Sequence, residues 1–460
     1  MSFAKIEILG LRGFSDLQTL NLGLPDGNIG SGLTIIVGPN NSGKSTIYEA
    51  FRAISSNNPP SFASGQRNKK TGGKIKISIK KTDGTSFSLI TSKVGGGSET
   101  QFEPKRIHEE RLSFFTLPAR RGFPPFFSKD VWTRQQFTDQ TTFNPVRSTQ
   151  LEHFFRRLFK IQQEKETFDS FNSVLSKVLG QIPDWCIELS DNQQHYLKFE
   201  NNGSAHNSDG TGDGLLSIFT ITDALYDSKP GDLIFIDEPE LSLHPTLQKK
   251  LAKLFNEYSS DRQILISTHS PYFINWTAVK NGGKIARTVK EKTGTKIYEL
   301  QVSTATKILR LLNDMNNPHT LGLDAKEIFF LDDNILLVEG QEDVIFLNKI
   351  LELKNIILNG TFFGWGVGGA DKTDKVLAML YDLGFKKITV IFDNNKKHLI
   401  APLKKKFGLY YFTFIPTDDV RDKKEKNIKG LIDFGGKTIN KKYDKAIEKL
   451  CTNINNYLIS

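Results

Sequence analysis

The residues with the clearest chemical potential lie in one short loop near the start of the chain. Residues 38–46 read GPNNSGKST and fit the pattern G-x-x-x-x-G-K-[ST]. Backbone N–H groups of such a loop surround phosphate oxygens, and the positive end of the following helix adds to the attraction. The residues that we expect to contact a nucleoside triphosphate are Gly38, Pro39, Asn40, Asn41, Ser42, Gly43, Lys44, Ser45 and Thr46. Lys44 should reach the β- and γ-phosphates, and Ser45 should ligate Mg²⁺.

The segments on either side of this loop are those that a phosphate-binding loop requires. The apolar strand LTIIV at 33–37 comes before it, and the helical segment STIYEAFRAI at 45–54 follows. A structural glycine turn without a ligand is the alternative interpretation. It does not explain why the lysine, the hydroxyl, the strand and the helix occur together and in this order. We therefore predict ATP with Mg²⁺ as the cofactor.

Two further apolar strands end in residues that act on a bound triphosphate. In LIFIDEPE at 233–240, Asp237 would hold Mg²⁺ through water, and Glu238 would orient or deprotonate the attacking water. The alternative is a pair of strand-end acids that cap the next helix. The segment QILISTHS at 263–270 carries His269 at its end, where it would contact the γ-phosphate. The predicted catalytic residues of this site are Glu238 and His269.

A second group of acids follows strands in the C-terminal part of the chain. Glu339 ends ILLVEG, Asp343 lies one helical turn later, and ITVIFDNN ends in Asp393 with Asn395 close behind. Acids at the carboxyl ends of parallel strands meet in one cleft, where Mg²⁺ or Mn²⁺ finds oxygen ligands. Two such ions can cleave a phosphodiester by stabilising the attacking and leaving oxygens. The alternative is an α/β domain whose acids only cap helices.

Composition limits the class of protein. A chain of 460 residues predicts two or three domains. The net charge of +10 permits binding to nucleic acid. No apolar run approaches the length of a membrane span, and the N-terminal segment predicts no secretion signal. Cys186 and Cys451 are too few for a disulfide framework or a zinc site, so we expect a cytoplasmic protein without a membrane partner.

The order of predicted elements indicates an α/β protein of two domains. Strands and helices alternate over 215–270, which predicts parallel strands with crossover helices. Apolar residues at helical spacing over 149–180 predict a helical arm inserted between the two halves of the nucleotide site. A second βαβ pattern begins near 334, and we place the domain boundary between 305 and 332. The predicted domains are residues 1–320 and 330–460.

The motifs of the first domain resemble those of the ATP-binding-cassette (ABC) ATPases, and in particular their DNA-associated branch. The resemblance rests on GPNNSGKST, DEPELSLHP and STHSP. It implies that residues 241–244 form the D-loop, that His269 is the switch histidine, and that two copies bind ATP head to tail. The family's signature L-S-G-G-Q is absent, and SDGTGDG at 208–214 is the candidate, with Gly210 and Gly212 offering N–H groups to the partner's ATP. LPARRG at 117–122 resembles an arginine loop near that site.

The C-terminal motifs resemble the Toprim domain, which has a glutamate in L-V-E-G and a later D-x-D. An ATPase followed by a Toprim domain resembles the OLD (overcoming lysogenisation defect) family of ATP-dependent nucleases and related anti-phage proteins. The resemblance implies that Glu339, Asp343 and Asp393 hold metal, with Asn395 in place of the second aspartate. It also implies that Lys429 stabilises the transition state. The implied function is an ATP-regulated, metal-dependent DNA endonuclease in anti-phage defence.

Other functions fit parts of the same pattern. In one alternative the Toprim domain is degenerate, and the ATPase is a sensor or scaffold that controls a separate effector nuclease. A DNA-repair or chromosome-maintenance ATPase fits the first domain and leaves the Toprim pattern unexplained. A transporter subunit does not fit the C-terminal half. We expect a homodimer at minimum. Contacts through the arm or the Toprim domain would extend it to a larger homo-oligomer. We also expect DNA as a partner.

Overall fold

The computed structural model describes most of the chain, namely residues 2–92, 98–104, 112, 114–121, 126–127, 131–141, 154–201, 203–207, 212–312, 327–423 and 428–460. Two compact units are present, Met1–Ile297 and Tyr298–Ser460. Strands and helices alternate in both, which confirms the predicted α/β class. Within the described residues, no helix is both long enough and apolar enough to cross a membrane.

The strands that begin in the first unit are β1 (Phe3–Leu9), β2 (Gln18–Asn21), β3 (Leu33–Val37), β4 (Lys76–Lys81), β5 (Ser86–Thr91), β6 (Thr100–Glu103), β7 (Phe114–Leu117), β8 (Phe126–Phe127), β9 (Asp184–Leu189), β10 (His195–Asn201), β11 (Ser204–His206), β12 (Leu233–Asp237), β13 (Gln263–Ser267), β14 (Lys284–Glu291) and β15 (Gly294–Glu299). Its helices are α1 (Lys44–Ser55), α2 (Arg134–Thr141), α3 (Phe154–Gln163), α4 (Lys165–Leu179), α5 (Asp213–Asp227), α6 (Pro245–Tyr258) and α7 (Trp276–Lys280).

A six-stranded sheet forms the centre of the first unit, with the order β15-β14-β3-β13-β12-β7. Neighbouring strands from β14 to β7 are parallel. Every residue of β3, β12 and β13 is buried, as expected for parallel strands that are covered on both faces. The carboxyl ends of these three strands therefore meet at one edge, and each one leads into a predicted ATP-site motif.

Helix α1 fills the space between this sheet and an antiparallel sheet of order β2-β1-β4-β5-β6. Apolar and aromatic side chains cover the helix on several sides, so it lies inside the core rather than on a surface. The ring of Phe51 packs edge-on against Phe235 at 5.3 Å, and Tyr48 does so at 5.4 Å. These contacts help to hold α1, which begins at the phosphate loop, against β12 and β13.

The predicted arm consists of two helices, α3 and α4, while residues 149–153 lie outside the described part. The chain is extended at Glu164, which separates the two helices. Helix α4 packs on α5 and α6 of the same unit. Phe171 of α4 is fully buried, with its ring 5.9 Å from that of Phe219 on α5. The inserted segment is therefore packed against the helix that follows the candidate signature loop.

The second unit contains α8 (Val302–Leu312), β16 (Ile335–Leu337), α9 (Gln341–Lys354), β17 (Thr361–Phe362), α10 (Thr373–Asp382), β18 (Ile388–Phe392), α11 (Ile400–Lys406), β19 (Tyr411–Phe414) and α12 (Asp444–Ile459). Its four-stranded sheet has the order β17-β16-β18-β19, and all neighbours are parallel. Helix α8 packs against α10. Residues 298–312 therefore belong to the second unit, which begins earlier in the chain than the predicted boundary between 305 and 332.

Candidate active sites

The phosphate loop joins β3 to α1 through backbone conformations that depend on glycine. Gly43 has a φ of 109° just before α1 begins, and an added Cβ there would lie 2.9 Å from the Thr295 side chain. The Ser42 and Thr288 hydroxyls are 2.6 Å apart, which fixes the loop to β14. The loop is thus held from two sides and opens at the N-terminus of a buried helix, where an anion is stabilised.

A cavity of about 590 Å³ opens above this loop. Its lining includes residues 40–46 together with Glu238 and His269, so the structure brings three predicted motifs to one space. A volume of this size is typical of small-molecule sites. The Lys44 ammonium donates to the carbonyls of Gly38 at 2.9 Å and Pro39 at 3.0 Å. Burial lowers the pKa of Lys44, and the nearby carboxylate of Glu238 opposes that shift.

Four lining residues were not identified from the sequence, namely Arg12, Gly13, Lys290 and Thr295. Arg12 donates to both carboxylate oxygens of Glu49, at 2.7 and 3.0 Å, which holds its guanidinium at the cavity wall. These residues come from the β1–β2 connection and from β14 and β15. No local motif marks them, because only the packing of the two sheets around α1 places them beside the loop.

An arginine from the segment LPARRG fixes the end of β12. Arg121 donates to the backbone oxygens of Asp237 at 2.8 Å and Glu238 at 2.7 Å, and to the Ser217 hydroxyl at 3.2 Å. Burial lowers the pKa of Arg121 to about 10, so the side chain still carries its charge at neutral pH. The Asp237 carboxylate accepts a hydrogen bond from the Ser267 hydroxyl on β13. Ser267 on β13 thus holds the Asp237 carboxylate, and Arg121 holds the backbone oxygens of both acids.

The residue predicted to activate water has a strained backbone. Glu238 has a φ of 47°, an uncommon conformation for a residue with a side chain. Its N–H donates to the Ser267 carbonyl at 2.8 Å, which stabilises this turn. Its carboxylate lies 3.9 Å from His269 Nε2. Burial and the Lys44 charge lower the pKa of His269, so the imidazole is neutral at pH 7.

A third acid, Glu240, supports the loop that carries His269. Its buried carboxylate accepts the His269 N–H at 2.5 Å and the Thr268 hydroxyl at 2.8 Å. Burial raises the pKa of Glu240, and these two hydrogen bonds oppose the rise. The DEPE motif contained this residue, but the sequence did not show that its partner was the end of the next strand.

Only part of the candidate signature loop is described. Gly210 lies outside the described residues, and Gly212 is exposed directly before α5. The start of α5 packs tightly on the predicted D-loop, since a Cβ at Gly214 would lie 2.4 Å from the Ser242 carbonyl. Gly212 is not among the residues that line the cavity.

The second group of acids lies where the order of strands reverses. The chain passes from β16 outward to β17 and then returns to β18 on the other side of β16. Such a point is a common ligand site in open parallel sheets. Glu339 follows β16 and Asp393 follows β18, and the Asp393 N–H lies 3.4 Å from Glu339 Oε1. Asp343 accepts the Gly340 N–H at 2.9 Å and thereby caps α9.

Burial and mutual repulsion dominate the electrostatics of these acids. Burial, followed by the charges of Asp343 and Glu339, raises the pKa of Asp393 to about 8. The pKa of Asp343 rises to about 6 for similar reasons. Asp419, near the end of β19, also repels these carboxylates and pairs with Lys423. A bound cation would relieve this repulsion, so the donor set suits a hard metal ion.

The structure does not bring two other predicted residues to this group. The Asn395 amide donates to the Asp418 backbone oxygen at 3.2 Å. The Lys429 ammonium is 3.5 Å from Asp422, and its side chain is 76% exposed. In the part of the chain that the structure describes, no group of three or more His, Cys, Asp and Glu side chains is arranged to hold a metal. One reason is that Asp343 is turned toward the start of its own helix.

Two family models match the first unit. One is described as an AAA ATPase domain and matches residues 1–113. The other is described as an AAA domain assigned to AbiEii toxins of type IV toxin–antitoxin systems and matches residues 142–275. The first range contains the phosphate loop, and the second contains Asp237, Glu238 and His269. The first unit is therefore an ATPase domain.

Curated relatives connect this ATPase domain with nucleases. Endonuclease GajA of Bacillus cereus (strain VD045) is 26% identical over 207 residues, which are 44% of this chain and 33% of the relative. The Old nuclease of Escherichia phage P2 is 31% identical over 133 residues, which are 28% of this chain and 21% of the relative. Over part of its length, the chain is therefore similar to nucleases of the OLD type. It matches a third or less of the length of each relative.

Among solved structures, heads of SMC proteins give a weak overall similarity to this chain. An SMC head bound to the C-terminal winged-helix domain of ScpA gives a TM-score of 0.43 at 13% identity and covers 67% of this chain and all of that one. The SMC head domain from Thermotoga maritima gives a TM-score of 0.37 at 12% identity and covers 66% of this chain and all of that one. The fold of the first unit is defined by its own sheet order and phosphate loop.

Proposed function

We propose that this protein binds and hydrolyses ATP in its first unit, and that the ATP cycle controls metal-dependent cleavage of DNA by its second unit. The observation that carries the proposal is the presence of two separate groups of strand-end acids. One group faces a phosphate loop across a cavity, and the other lies at the switch point of a parallel sheet. The names of the two curated relatives support nuclease chemistry in the chain as a whole.

In the first unit, each side chain has a distinct task. Lys44 exchanges its bonds with the Gly38 and Pro39 carbonyls for bonds with phosphate oxygens. Ser45 and Asp237 would hold Mg²⁺, which neutralises phosphate charge when it is bound. Glu238 accepts a proton from the attacking water, and neutral His269 orients the γ-phosphate by a hydrogen bond. Arg121 keeps the Glu238 backbone in the position that this geometry requires.

Hydrolysis in this proposal requires a second copy of the chain. The loop that holds Gly210 and Gly212 would supply N–H groups to the partner's ATP, because Gly212 does not line the cavity of its own chain. With Glu238→Gln and ATP, light scattering should show a dimer or a larger homo-oligomer, whereas Lys44→Ala should not respond to ATP. A monomer under every nucleotide condition would contradict this part of the proposal.

In the second unit, which we propose to be Toprim-like, Glu339, Asp343 and Asp393 would hold Mg²⁺ or Mn²⁺. The basic charge of the chain favours DNA as the substrate. Purified protein should nick plasmid DNA when either ion is added, and Glu339→Ala should abolish nicking while ATP turnover is kept. Glu342→Gln is the matched control, because Glu342 pairs with Arg421 and Lys423 rather than with the other acids. Equal nicking by wild type and Glu339→Ala would refute the assignment.

The second candidate function is an ATPase sensor that controls a separate effector nuclease. The position of Asn395, whose amide is bound to the Asp418 backbone, favours it, because the second acid of a D-x-D pair is then missing. A phage-protection assay separates the two candidates. The nuclease proposal expects that protection is lost in both Glu339→Ala and Lys44→Ala, and the sensor expects loss in Lys44→Ala alone. We propose a cytoplasmic location, since both cysteines are free thiols.

A further inference from the structure

One large aromatic side chain in the second unit is exposed without an evident structural role. Trp365 is 55% exposed, although tryptophan is among the most highly buried residue types on average. It lies in the glycine-rich segment GWGVGG at 364–369, between β17 and α10. The Gly366 N–H donates to the Phe363 carbonyl at 2.9 Å, so this turn carries Trp365 at its tip.

The backbone around Trp365 is fixed directly beside the first acid of the second group. The Val367 N–H donates to the Val338 carbonyl and the Gly369 N–H to the Glu339 carbonyl, both at 2.9 Å. At Gly366 a Cβ would lie 2.6 Å from the Gly340 Cα, so only glycine allows this approach. The exposed indole is therefore attached to a rigid turn that is bonded to the Glu339 backbone.

Positive charge lies on the other side of the acids. Lys396 and Lys397 follow Asp393 in the first turn after β18, and the Lys396 N–H donates to the Asp393 carbonyl at 3.0 Å. The carboxyl edge of the sheet thus presents an aromatic surface, then carboxylates, then lysines.

An aromatic ring next to lysines is the combination that holds a single nucleic-acid strand. Bases stack on exposed aromatic faces, and ammonium groups hold the phosphates of the same strand. A base inside a duplex is already stacked on its neighbours, so a ring at the tip of a turn gains little from it. A strand that stacked on Trp365 and bound the lysines would run past the acids along this edge.

We propose that Trp365, Lys396 and Lys397 form a seat for a DNA strand with an unpaired base, and that this seat presents the adjacent phosphodiester to Glu339 and Asp393. This inference rests on the proposed nuclease function. It assigns the substrate class as DNA that contains single-stranded or unpaired nucleotides rather than intact duplex.

The test measures binding separately from cleavage. Fluorescence anisotropy with Mg²⁺ and full-length Glu339→Gln protein would compare a labelled single-stranded oligodeoxynucleotide with the same sequence as a blunt duplex. Trp365→Ala should weaken single-strand binding about 5- to 100-fold and duplex binding less than twofold, while Trp365→Phe should keep most of the affinity. Tyr381→Ala is the matched control, because Tyr381 is 54% exposed at the far end of α10 and should have no effect.

Two double variants, each of which removes two lysine charges, test the part that Lys396 and Lys397 play in binding. Lys396→Gln with Lys397→Gln should weaken binding and reduce its dependence on salt. Lys404→Gln with Lys405→Gln removes the same charge from the last turn of α11 and should have the smaller effect. Unchanged single-strand affinity in Trp365→Ala would overturn the proposal. A Trp365→Ala protein whose oligomeric state changes while its affinity does not would also overturn it.

The same experiment separates this inference from the nuclease proposal. If wild type cleaves no DNA with Mg²⁺ or Mn²⁺, but Trp365→Ala still loses single-strand affinity, the seat is correct and the nuclease function fails. If wild type cleaves duplex and single strand equally, and Trp365→Ala cleaves as wild type does, the seat is wrong and the nuclease function remains.

Discussion

The two groups of strand-end acids are built on the same plan but differ in what surrounds them. In the first unit, Asp237 and Glu240 accept hydrogen bonds from Ser267, Thr268 and the His269 backbone, and Lys44 adds a positive charge. In the second unit, burial and mutual repulsion raise the pKa of Asp343 and Asp393. The proposed ATP site is therefore assembled before its ligand arrives, whereas in the second unit the positive charge of Lys423 only partly offsets the repulsion between the carboxylates.

This difference shows what each site requires from its ligand. The protein supplies the positive groups for a triphosphate, so ATP meets a prepared cavity. Carboxylates without sufficient cationic partners cost free energy unless a proton or a metal ion joins them. A preformed metal cage is thus not expected in the absence of metal, and the acids of the second unit are not arranged as one among the described residues.

The largest effect is expected in the first unit, at Glu238. Glu238→Gln removes the proton acceptor but keeps the size of the side chain, so steady-state ATP turnover should fall about 10²–10⁴-fold. Binding of a fluorescent ATP analogue should stay within a few-fold of wild type. Lys44→Ala serves as the contrasting variant, because it should lose binding. Normal turnover by correctly folded Glu238→Gln would show that this carboxylate does not act on water.

A smaller effect is expected at the side chain that holds β12 in place. Arg121→Met leaves the carbonyls of Asp237 and Glu238 without their buried donor, which should reduce the free energy of unfolding of the first unit by about 2–4 kcal/mol. Urea denaturation followed by circular dichroism measures this loss. Arg120→Met is the control, because Arg120 is exposed and should be nearly neutral. Equal stability of both variants would remove Arg121 from its structural role.

The smallest effect is expected in the second unit, at Asp393, and it depends on pH. Folded Asp393 holds its proton up to a pKa of about 8, against 3.8 as the ordinary value, so the folded state binds more protons between these limits. Stability of the metal-free protein should therefore fall as pH rises from 3.8 toward 8. Asp393→Asn removes the charge and should raise the metal-free Tm at pH 8 by about 2–4 °C.

Thermal unfolding in EDTA at several pH values would check this prediction. Asp418→Asn is the control, because Asp418 is exposed and is not among the charges that mainly change the pKa of Asp393. The gain from Asp393→Asn should shrink toward acidic pH, where wild-type Asp393 is protonated. A constant gain at every pH would mean that repulsion between carboxylates is not its cause.

The sequence predicted that three motifs meet beside the phosphate loop, because each motif is local. The phosphate loop, Asp237, Glu238 and His269 each follow an apolar strand, and parallel strands must end at one edge. Arg12 and Lys290 could not be predicted, since they reach the cavity only after two sheets pack around α1.

The second unit shows more clearly which features motif spacing alone cannot predict. The positions of Glu339 and Asp393 at neighbouring strand ends followed from the βαβ pattern. The orientation of Asn395 did not, because an amide can bind a nearby backbone carbonyl as readily as it can bind a metal. The role of Asp419 depends on β19 being the next strand in the sheet, which one short sequence pattern cannot establish.

The most direct test of the contrast between the two sites is a titration of nucleotide-free protein with Mn²⁺, followed by electron paramagnetic resonance of the free ion. Asp237→Asn is included to remove binding at the ATP site. We expect Mn²⁺ binding that survives Asp237→Asn and is lost in Glu339→Gln. Binding that persists in Glu339→Gln, or its absence from wild type up to millimolar Mn²⁺, would contradict a metal site in the second unit.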